Sequence, residues 1–335
     1  MRFVVPTIWL LASLSAYAAK PLEIYFIDVE GGQSTLIVSP SGQAILVDTG
    51  WRGFNGRDTD RIVKAAKNAH VKQLNYVEIT HYHRDHVGGV TQLADRMKID
   101  AFVDHGPNME DAKTPKEDYA DYEKVVARGA QHIVVKPGDT IPLKDLDIKV
   151  LSANGERITA PLAGAGQPNP LCGSEPRAED DPTENARSVG ILVTFGSFRF
   201  IDLGDLTKKK ELGLACPNNL IGTVDVYLTT HHGLDQSNAK ALVDALHPRV
   251  AIMNNGANKG GSPAAWQIVK DSPGLQDIWQ LHYAMEGGKD HNAPDPFLAN
   301  IDAGDDGYYL KLTAESDGTF TVYNARNKYQ KTYTK

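Results

Sequence analysis

Thr80-His81-Tyr82-His83-Arg84-Asp85-His86-Val87-Gly88-Gly89 directly follows an apolar run, Tyr76-Val77-Glu78-Ile79. The run reads as a strand and the stretch as the loop that leaves it. The pattern is H-x-H-x-D-H: four metal-capable side chains within six residues, in a chain with eleven histidines. Where the chain is still extended, side chains alternate, so His81 and His83 point to one side. Asp85 and His86 then fall on the turn that opens a helix predicted over Val87 to Met97. Imidazole and carboxylate are ligands that zinc, manganese and iron accept. One short loop can therefore feed two metal sites. Gly88 and Gly89 leave room for backbone to pass close to a metal or ligand.

The chain has 335 residues, 41% hydrophobic and 23% charged, which suits a large globular core. A formal net charge of −7 argues against broad electrostatic capture of duplex nucleic acid, which needs a basic face. A phosphate-bearing substrate stays compatible, because a bound metal pair supplies local positive charge. Residues 1–18 read as a secretory signal: Arg2, an apolar stretch from Phe3 to Leu14, then Ala16-Tyr17-Ala18 as an A-x-A cleavage site. The apolar stretch is too short to span a membrane. The mature protein is therefore expected in the periplasm or outside the cell, with no membrane attachment after cleavage. In an exported chain the two cysteines, Cys172 and Cys216, suggest a disulfide, the alternative being two separate buried thiols.

Strands are predicted at Leu22–Val29, Ser34–Ser39 and Gln43–Val47, the last ending in Asp48-Thr49-Gly50. A helix follows over Arg57–Asn68, then the metal-type loop, a strand at Ala101–Asp104 and a helix at Tyr119–Arg128. His105, after that strand, reads as an exposed loop histidine. Residues 152–187 are rich in Gly, Pro and acids and read as one long loop that either shapes a pocket or is a passive insertion. Later strands end in Asp202-Leu203-Gly204-Asp205 and Thr230-His231-His232-Gly233. Asn238 lies near the start of a further helix, and Ser262-Pro263 opens another with a capping residue and Pro at its first position. Residues 284–306 read as polar irregular chain, and Tyr308–Thr313 with Thr319–Tyr323 as a closing hairpin. Strand pairs followed by helices occur in both halves. The expected architecture is α/β: an αββα sandwich of two mixed sheets with helices outside, forming one domain over 19–335.

Leu46-Val47-Asp48-Thr49-Gly50, the H-x-H-x-D-H loop, Leu203-Gly204-Asp205 and Thr230-His231-His232-Gly233, in that order, resemble the motifs of the metallo-β-lactamase superfamily across residues 22–255. The resemblance implies the αββα fold and two divalent ions, zinc first and manganese second. Asp205 would bridge both ions. Asp85, His86 and His232 would hold one, and His81 and His83 the other. Asp48 would orient a loop histidine, and His231 would face substrate, with an exchange of roles between His231 and His232 left open. The superfamily commonly has a further histidine before the bridging aspartate, and none occurs between Lys149 and Asp205. In its place stands Asp181-Pro182-Thr183-Glu184-Asn185-Ala186-Arg187-Ser188. With the His-His-Gly ending, this run is similar to the branch that contains the hydrolase domain of DNA-uptake competence proteins and phosphocholine esterases. Asp181 is the candidate replacement ligand, with Glu184 and Asn185 behind it.

The function implied is hydrolysis of a phosphodiester by a metal-bound hydroxide. The substrate would be a small molecule, a short strand or a phosphorylated polymer. The alternatives are a β-lactam or lactone hydrolase, and a non-catalytic metal-binding or sensing protein of the same fold.

Overall fold

Burial along the first strand, β1 (Leu22–Phe26), shows how the layers arise. Leu22, Ile24 and Phe26 enter one apolar core and Tyr25 another, the period of two that a strand imposes. β2 (Thr35–Val38) repeats this, with Ile37 in the first core and Leu36 and Val38 in the second. A sheet built from such strands is apolar on both faces, so it needs a second sheet on one side and helices on the other. The computed structural model describes residues 20–176, 178–302 and 307–335, and the secretory segment expected at 1–18 lies outside them.

The first sheet adds β3 (Ala44–Val47), β4 (Gln73–Glu78), β5 (Lys98–Asp104) and β6 (Gln131–Val134) on one side of β1 and β2. On the other side lie β16 (Leu310–Ala314), β17 (Phe320–Asn324) and β18 (Gln330–Tyr333). From β18 to β3 the pairing is antiparallel, and from β3 to β6 it is parallel. The second sheet mirrors this plan. β7 (Thr140–Ile141), β8 (Asp147–Ala153), β10 (Gly190–Phe195) and β11 (Phe198–Asp202) pair antiparallel, with the short β9 (Glu156–Arg157) beside β8. β12 (Val226–Leu228), β13 (Val250–Met253), β14 (Asp277–His282) and β15 (Leu298–Asn300) continue in parallel from β11.

Between the sheets Phe26 and Phe200 meet edge to face at 5.7 Å, amid Ile24, Ile45, Val150, Ile191, Val226 and Leu312. Burying one such ring is worth about 2–3 kcal/mol. α1 (Arg57–Asn68) packs Ile62, Ala65 and Ala66 on the outer face of the first sheet, where Tyr122 and Val125 of α4 (Lys113–Val126) join it. On the second sheet lie α5 (Lys208–Ala215), α6 (Lys240–Leu246) and α7 (Pro263–Lys270), through Leu214, Leu242 and Trp266 among others. This is the αββα arrangement expected from the sequence.

Several details differ. The helix expected at Val87–Met97 is two short ones, α2 (Arg84–Val87) and α3 (Val90–Ala94), parted at Gly88-Gly89. A Cβ on Gly89 would sit 2.1 Å from Thr49 O and one on Gly88 2.5 Å from Arg52 N, so the glycines serve close approach of the chain at 49–52 rather than of a ligand. Ser262 precedes α7 as expected, but its hydroxyl donates to Gly233 O at 3.2 Å instead of capping the helix. The long stretch at 152–187 carries β9 and two short 3-10 turns, and Cys172 is bonded to Cys216 at the end of α5. The stretch at 284–306 contributes the edge strand β15, and the expected closing hairpin has a third strand, β18. No helix among the described residues is long and apolar enough to cross a membrane.

Candidate metal centre

The chain leaves β3, β4, β11 and β12 at their carboxyl ends, the edge where parallel strands leave loops free to build a site. These four loops carry Asp48, the H-x-H-x-D-H residues, Asp205 and the His231-His232 pair.

Ligand atoms of Asp85, His86, Asp205 and His232 all lie within 4.8 Å of one another, and all four residues are buried. Asp85 Oδ2 is 3.3 Å from both His86 Nε2 and His232 Nε2. Asp205 Oδ2 is 3.2 Å from His86 Nε2, and its Oδ1 is 3.3 Å from His232 Nε2. His81 Nε2 approaches the same carboxylate at 4.0 Å, and its ring meets that of His83 edge-on at 4.7 Å. The Nε2 atoms of His81, His86 and His232, and Asp205 Oδ1, are buried with no hydrogen-bond partner. Buried polar atoms are rarely left so. Four converging on one place is the signature of a cation site, and the mixed nitrogen and oxygen donors fit a divalent metal.

The electrostatics follow from the crowding. Burial alone would lower the His86 pKa, but the carboxylates of Asp205, Asp85 and Asp48 override it and hold it well above the usual range. Burial would raise Asp205, yet His231, His232 and His86 around it hold it well below the ordinary carboxylate range. Asp85 is likewise held low against its burial by His86 and Lys259. Burial, with His86 and His83 nearby, pushes His81 well below the ordinary imidazole value.

Asp48 stands beneath His86. Its Oδ2 accepts from His86 Nδ1 at 2.6 Å and Thr80 Oγ1 at 2.7 Å, and its Oδ1 from Thr80 N at 2.8 Å. It reaches them from a left-handed backbone, φ 61°, a conformation aspartate tolerates better than most residues. His231 and His232 are also left-handed, φ 55° and 56°, which costs on the order of 1–3 kcal/mol each. The turn is over-determined by His231 N to Gly204 O at 2.9 Å and Gly261 N to His232 O at 2.9 Å. Asn238 ties it further, with Nδ2 donating to Thr230 O and Leu234 O at 2.9 Å each. Asn238 thus braces the histidine turn, and α6 begins two residues later. His232 belongs to the ligand group, whereas His231 Nε2 reaches Asp205 Oδ2 alone, at 3.3 Å, with Ser237 Oγ 3.4 Å from its Nδ1. Burial lowers the His231 pKa to about 4, leaving it neutral at pH 7.

Asp181 is a correction. Its Oδ1 accepts from Thr183 N at 2.7 Å, closing its own turn instead of joining the ligand group. Glu184 is buried and committed elsewhere: Oε2 lies 2.9 Å from His105 Nε2 and Oε1 accepts from Met109 N at 2.8 Å. Asn185 is half-buried, with Oδ1 unpartnered. His105 is buried rather than exposed, because Glu184 satisfies it inside the fold. The run before β10 does reach the centre through Ser188. Its Oγ is 3.4 Å from His81 Nδ1 and accepts from Asp205 N at 3.2 Å.

Two groups escaped the sequence reading. Glu110, in the loop after β5, places Oε2 2.9 Å from His83 Nε2 and accepts from Glu184 N at 2.9 Å. Lys259, after β13, pairs its ammonium with Asp85 Oδ2. Its sequence setting, Asn254-Asn255-Gly256-Ala257-Asn258-Lys259-Gly260-Gly261, is a glycine-rich exit from a strand, like those that flagged the other loops.

Among curated proteins, ComE operon protein 3 of Bacillus subtilis (strain 168) is 27% identical over 253 residues, covering 70% of this chain and 28% of that protein. Recombination protein 2 of Haemophilus influenzae is 25% identical over 253 residues, covering 75% of this chain and 26% of that protein. The chain thus spans little more than a quarter of either relative. Among solved structures, the metallo-beta-lactamase fold protein YhfI from Bacillus subtilis is 11% identical, with 87% of this chain and 99% of that one covered and a TM-score of 0.47. A metallo hydrolase from Ignicoccus hospitalis is 15% identical, covering 80% of this chain and 97% of that one, at a TM-score of 0.44. A family model described as Metallo-beta-lactamase superfamily matches residues 27–181, the segment that carries Asp48 and the whole H-x-H-x-D-H loop. With Asp205 and His232 of the later strand ends gathered onto that loop, the chain carries a domain of the metallo-beta-lactamase superfamily.

Proposed function

We propose that the protein is an exported hydrolase that works with two divalent ions and cleaves a phosphodiester. The observation that carries this is the set of buried, unpartnered Nε2 atoms of His81, His86 and His232 around the Asp85 and Asp205 carboxylates. Asp85, His86 and His232 would hold one ion and His81 and His83 the other, with Asp205 between them. Zinc suits the donors and manganese is the second choice. Bound there, the pair would supply an activated water and positive charge for the anionic transition state.

The chain's own residues do the rest. Asp48 accepts the Nδ1 proton of His86, so Nε2 is the nitrogen a metal would take. Ser188 and Thr80 hold His81 through Nδ1, at 3.4 and 3.1 Å. His231 is neutral beside Asp205, placed to give a hydrogen bond to, or take a proton from, a group at the centre. Several observations favour a phosphodiester over a lactam. No histidine lies between Lys149 and Asp205, the competence-type motifs are present, and the relatives' similarity extends across 253 residues. A net charge of −7 favours a small diester or phosphorylated polymer over duplex DNA. Export fits the sequence of residues 1–18 and the Cys172–Cys216 bridge.

The test measures metal content of the mature protein together with hydrolysis of a chromogenic phosphodiester and a chromogenic β-lactam, beside Asp205→Ala. Two metals per chain and diester cleavage lost in the variant are expected. Lactam cleavage alone would transfer the protein to carbonyl chemistry. Failure to bind metal under replete conditions would overturn the centre.

A further inference from the structure

Lys259 is a cation placed at a metal centre, where a cation is at first sight misplaced. Its ammonium pairs with Asp85 Oδ2, the oxygen that also faces His86 Nε2 and His232 Nε2. The placement is built into the backbone. Lys259 sits in the turn between β13 and α7, closed by Gly256 N to Lys259 O at 2.8 Å. On one side a Cβ at Gly31 would lie 2.9 Å from Lys259 Cβ and from Lys259 O. On the other a Cβ at Gly260 would lie 2.3 Å from His232 O. Only glycine lets the β1–β2 turn press this close to Lys259 and the following residue press this close to the histidine turn, which fixes the backbone from which the lysine reaches Asp85. The ammonium also lies 5.1 Å from the centre of the Trp51 ring, a favourable cation–π position.

The other cationic side chains nearby are differently engaged. Arg84 pairs with Asp118 at 2.9 Å and Arg52 with Asp121 at 2.5 Å, both away from the ligand group. Lys259 alone of these three has a candidate metal ligand as its partner. A divalent ion and an ammonium compete for one carboxylate oxygen. An ion held by Asp85, His86 and His232 would therefore loosen the lysine's hold on Asp85 and leave a side chain, 31% exposed, that solvent and substrate can reach. A four-carbon stem with three rotatable donors suits that task.

Resting on the phosphodiester reading and deepening it, we infer that Lys259, backed by Trp51, is the residue that receives a non-bridging phosphate oxygen of the substrate. It selects an anionic substrate over a neutral ester or lactam. A positive side chain beside two cations gains from a phosphate's charge and offers a neutral carbonyl only an ordinary hydrogen bond.

The metal-loaded wild type, Lys259→Met and Lys259→Arg are titrated with inorganic phosphate by calorimetry. Each is also run on bis(p-nitrophenyl) phosphate and on p-nitrophenyl acetate, with metal content read by mass spectrometry. Methionine keeps the stem on Trp51 and removes the charge. Phosphate affinity is expected to fall about 10- to 100-fold in Lys259→Met, the range for a hydrogen bond to a charged group, and to be largely restored in Lys259→Arg. The diester-to-acetate ratio of kcat/KM falls with it, and metal content does not fall. Unchanged phosphate affinity in Lys259→Met, or a wild type that does not bind phosphate, overturns the inference. A loss of metal in Lys259→Met also overturns it, by making the lysine a support for Asp85. A wild type that binds phosphate through Lys259 and cleaves no diester leaves the inference standing and overturns the phosphodiesterase reading instead.

Discussion

Asp48→Asn tests the centre through a residue that touches neither metal nor substrate. The aspartate makes three bonds, at 2.6 Å to His86 Nδ1, 2.7 Å to Thr80 Oγ1 and 2.8 Å to Thr80 N. Asparagine has the same shape and tolerates the left-handed backbone at φ 61°. Its single oxygen still accepts from Thr80 N, and Thr80 Oγ1 rotates to accept instead of donate. His86 cannot adapt so easily. An amide NH2 facing Nδ1 forces the imidazole to accept there and to carry its proton on Nε2. That nitrogen lies 3.2 Å from Asp205 Oδ2 and 3.3 Å from Asp85 Oδ2, which welcome the proton. A metal on Nε2 would move the remaining proton to Nδ1, where it faces the amide NH2 instead of a carboxylate. Losing such a partner weakens metal binding by about 10- to 100-fold, roughly 1.4–2.7 kcal/mol. Stability should change little, since all three bonds can be kept, two of them with donor and acceptor exchanged. Zinc titration after chelator treatment, with stoichiometry read by mass spectrometry, and a thermal melt without metal supply the two readouts. A variant that melts with the wild type and has lost one tight metal equivalent is the expected result. Wild-type affinity for both equivalents would refute the tautomer argument.

Glu110→Ala removes the carboxylate 2.9 Å from His83 Nε2 and the acceptor of Glu184 N. Metal affinity on the His81–His83 side should fall about 10-fold or more, seen as a weakened equivalent in the same titration, and unchanged affinity would dismiss Glu110 as a support. Glu211, fully buried, accepts from Asn238 N at 3.0 Å and Ala239 N at 2.8 Å, and burial pushes its pKa up to about 7 from 4.5. The folded state therefore holds this proton more tightly than the unfolded chain does. The contribution is fully present below about pH 4.5 and is lost as pH rises through about 7, on the order of 3 kcal/mol in all. Glu211→Gln cannot titrate, so its stability relative to wild type should improve by that order between pH 4.5 and 7.5 in urea unfolding, and a constant difference across that range would contradict the shift.

How much of this was legible in the sequence follows from how local each signal is. The H-x-H-x-D-H loop, the Asp48 strand end and the Leu-Gly-Asp and His-His-Gly turns each compress a functional choice into a few adjacent residues, so they identify themselves. The helix Arg57–Asn68 and the strand ending at Val47 were legible for the same reason, since a single face or a short apolar run determines them. The broken helix at Gly88-Gly89 was not. What splits it is Thr49 O, which arrives from a strand end about forty residues earlier, and only the folded sheet brings it there. β15 and β18 escaped because each is an edge strand whose pairing partner, rather than its own composition, makes it a strand.

The errors at the site have one physical source. Asp181 stands in sequence where a missing histidine would, and His105 leaves its strand with no other metal-type residue beside it. In the fold the decisive pairings run between distant loops. Glu184 reaches back to His105, Glu110 binds both Glu184 N and His83, and Lys259 crosses 174 residues to Asp85. Groups that would bind a metal directly must converge, and convergence from one loop leaves a motif. Groups that orient those ligands need only one contact each, from whichever loop packs nearby, and a single Glu in a loop carries no spacing to read. The supports of this centre therefore have to be found as hydrogen bonds. Once found they state which candidate ligand each one meets: Asp48 meets His86, Ser188 and Thr80 meet His81, and Glu110 meets His83.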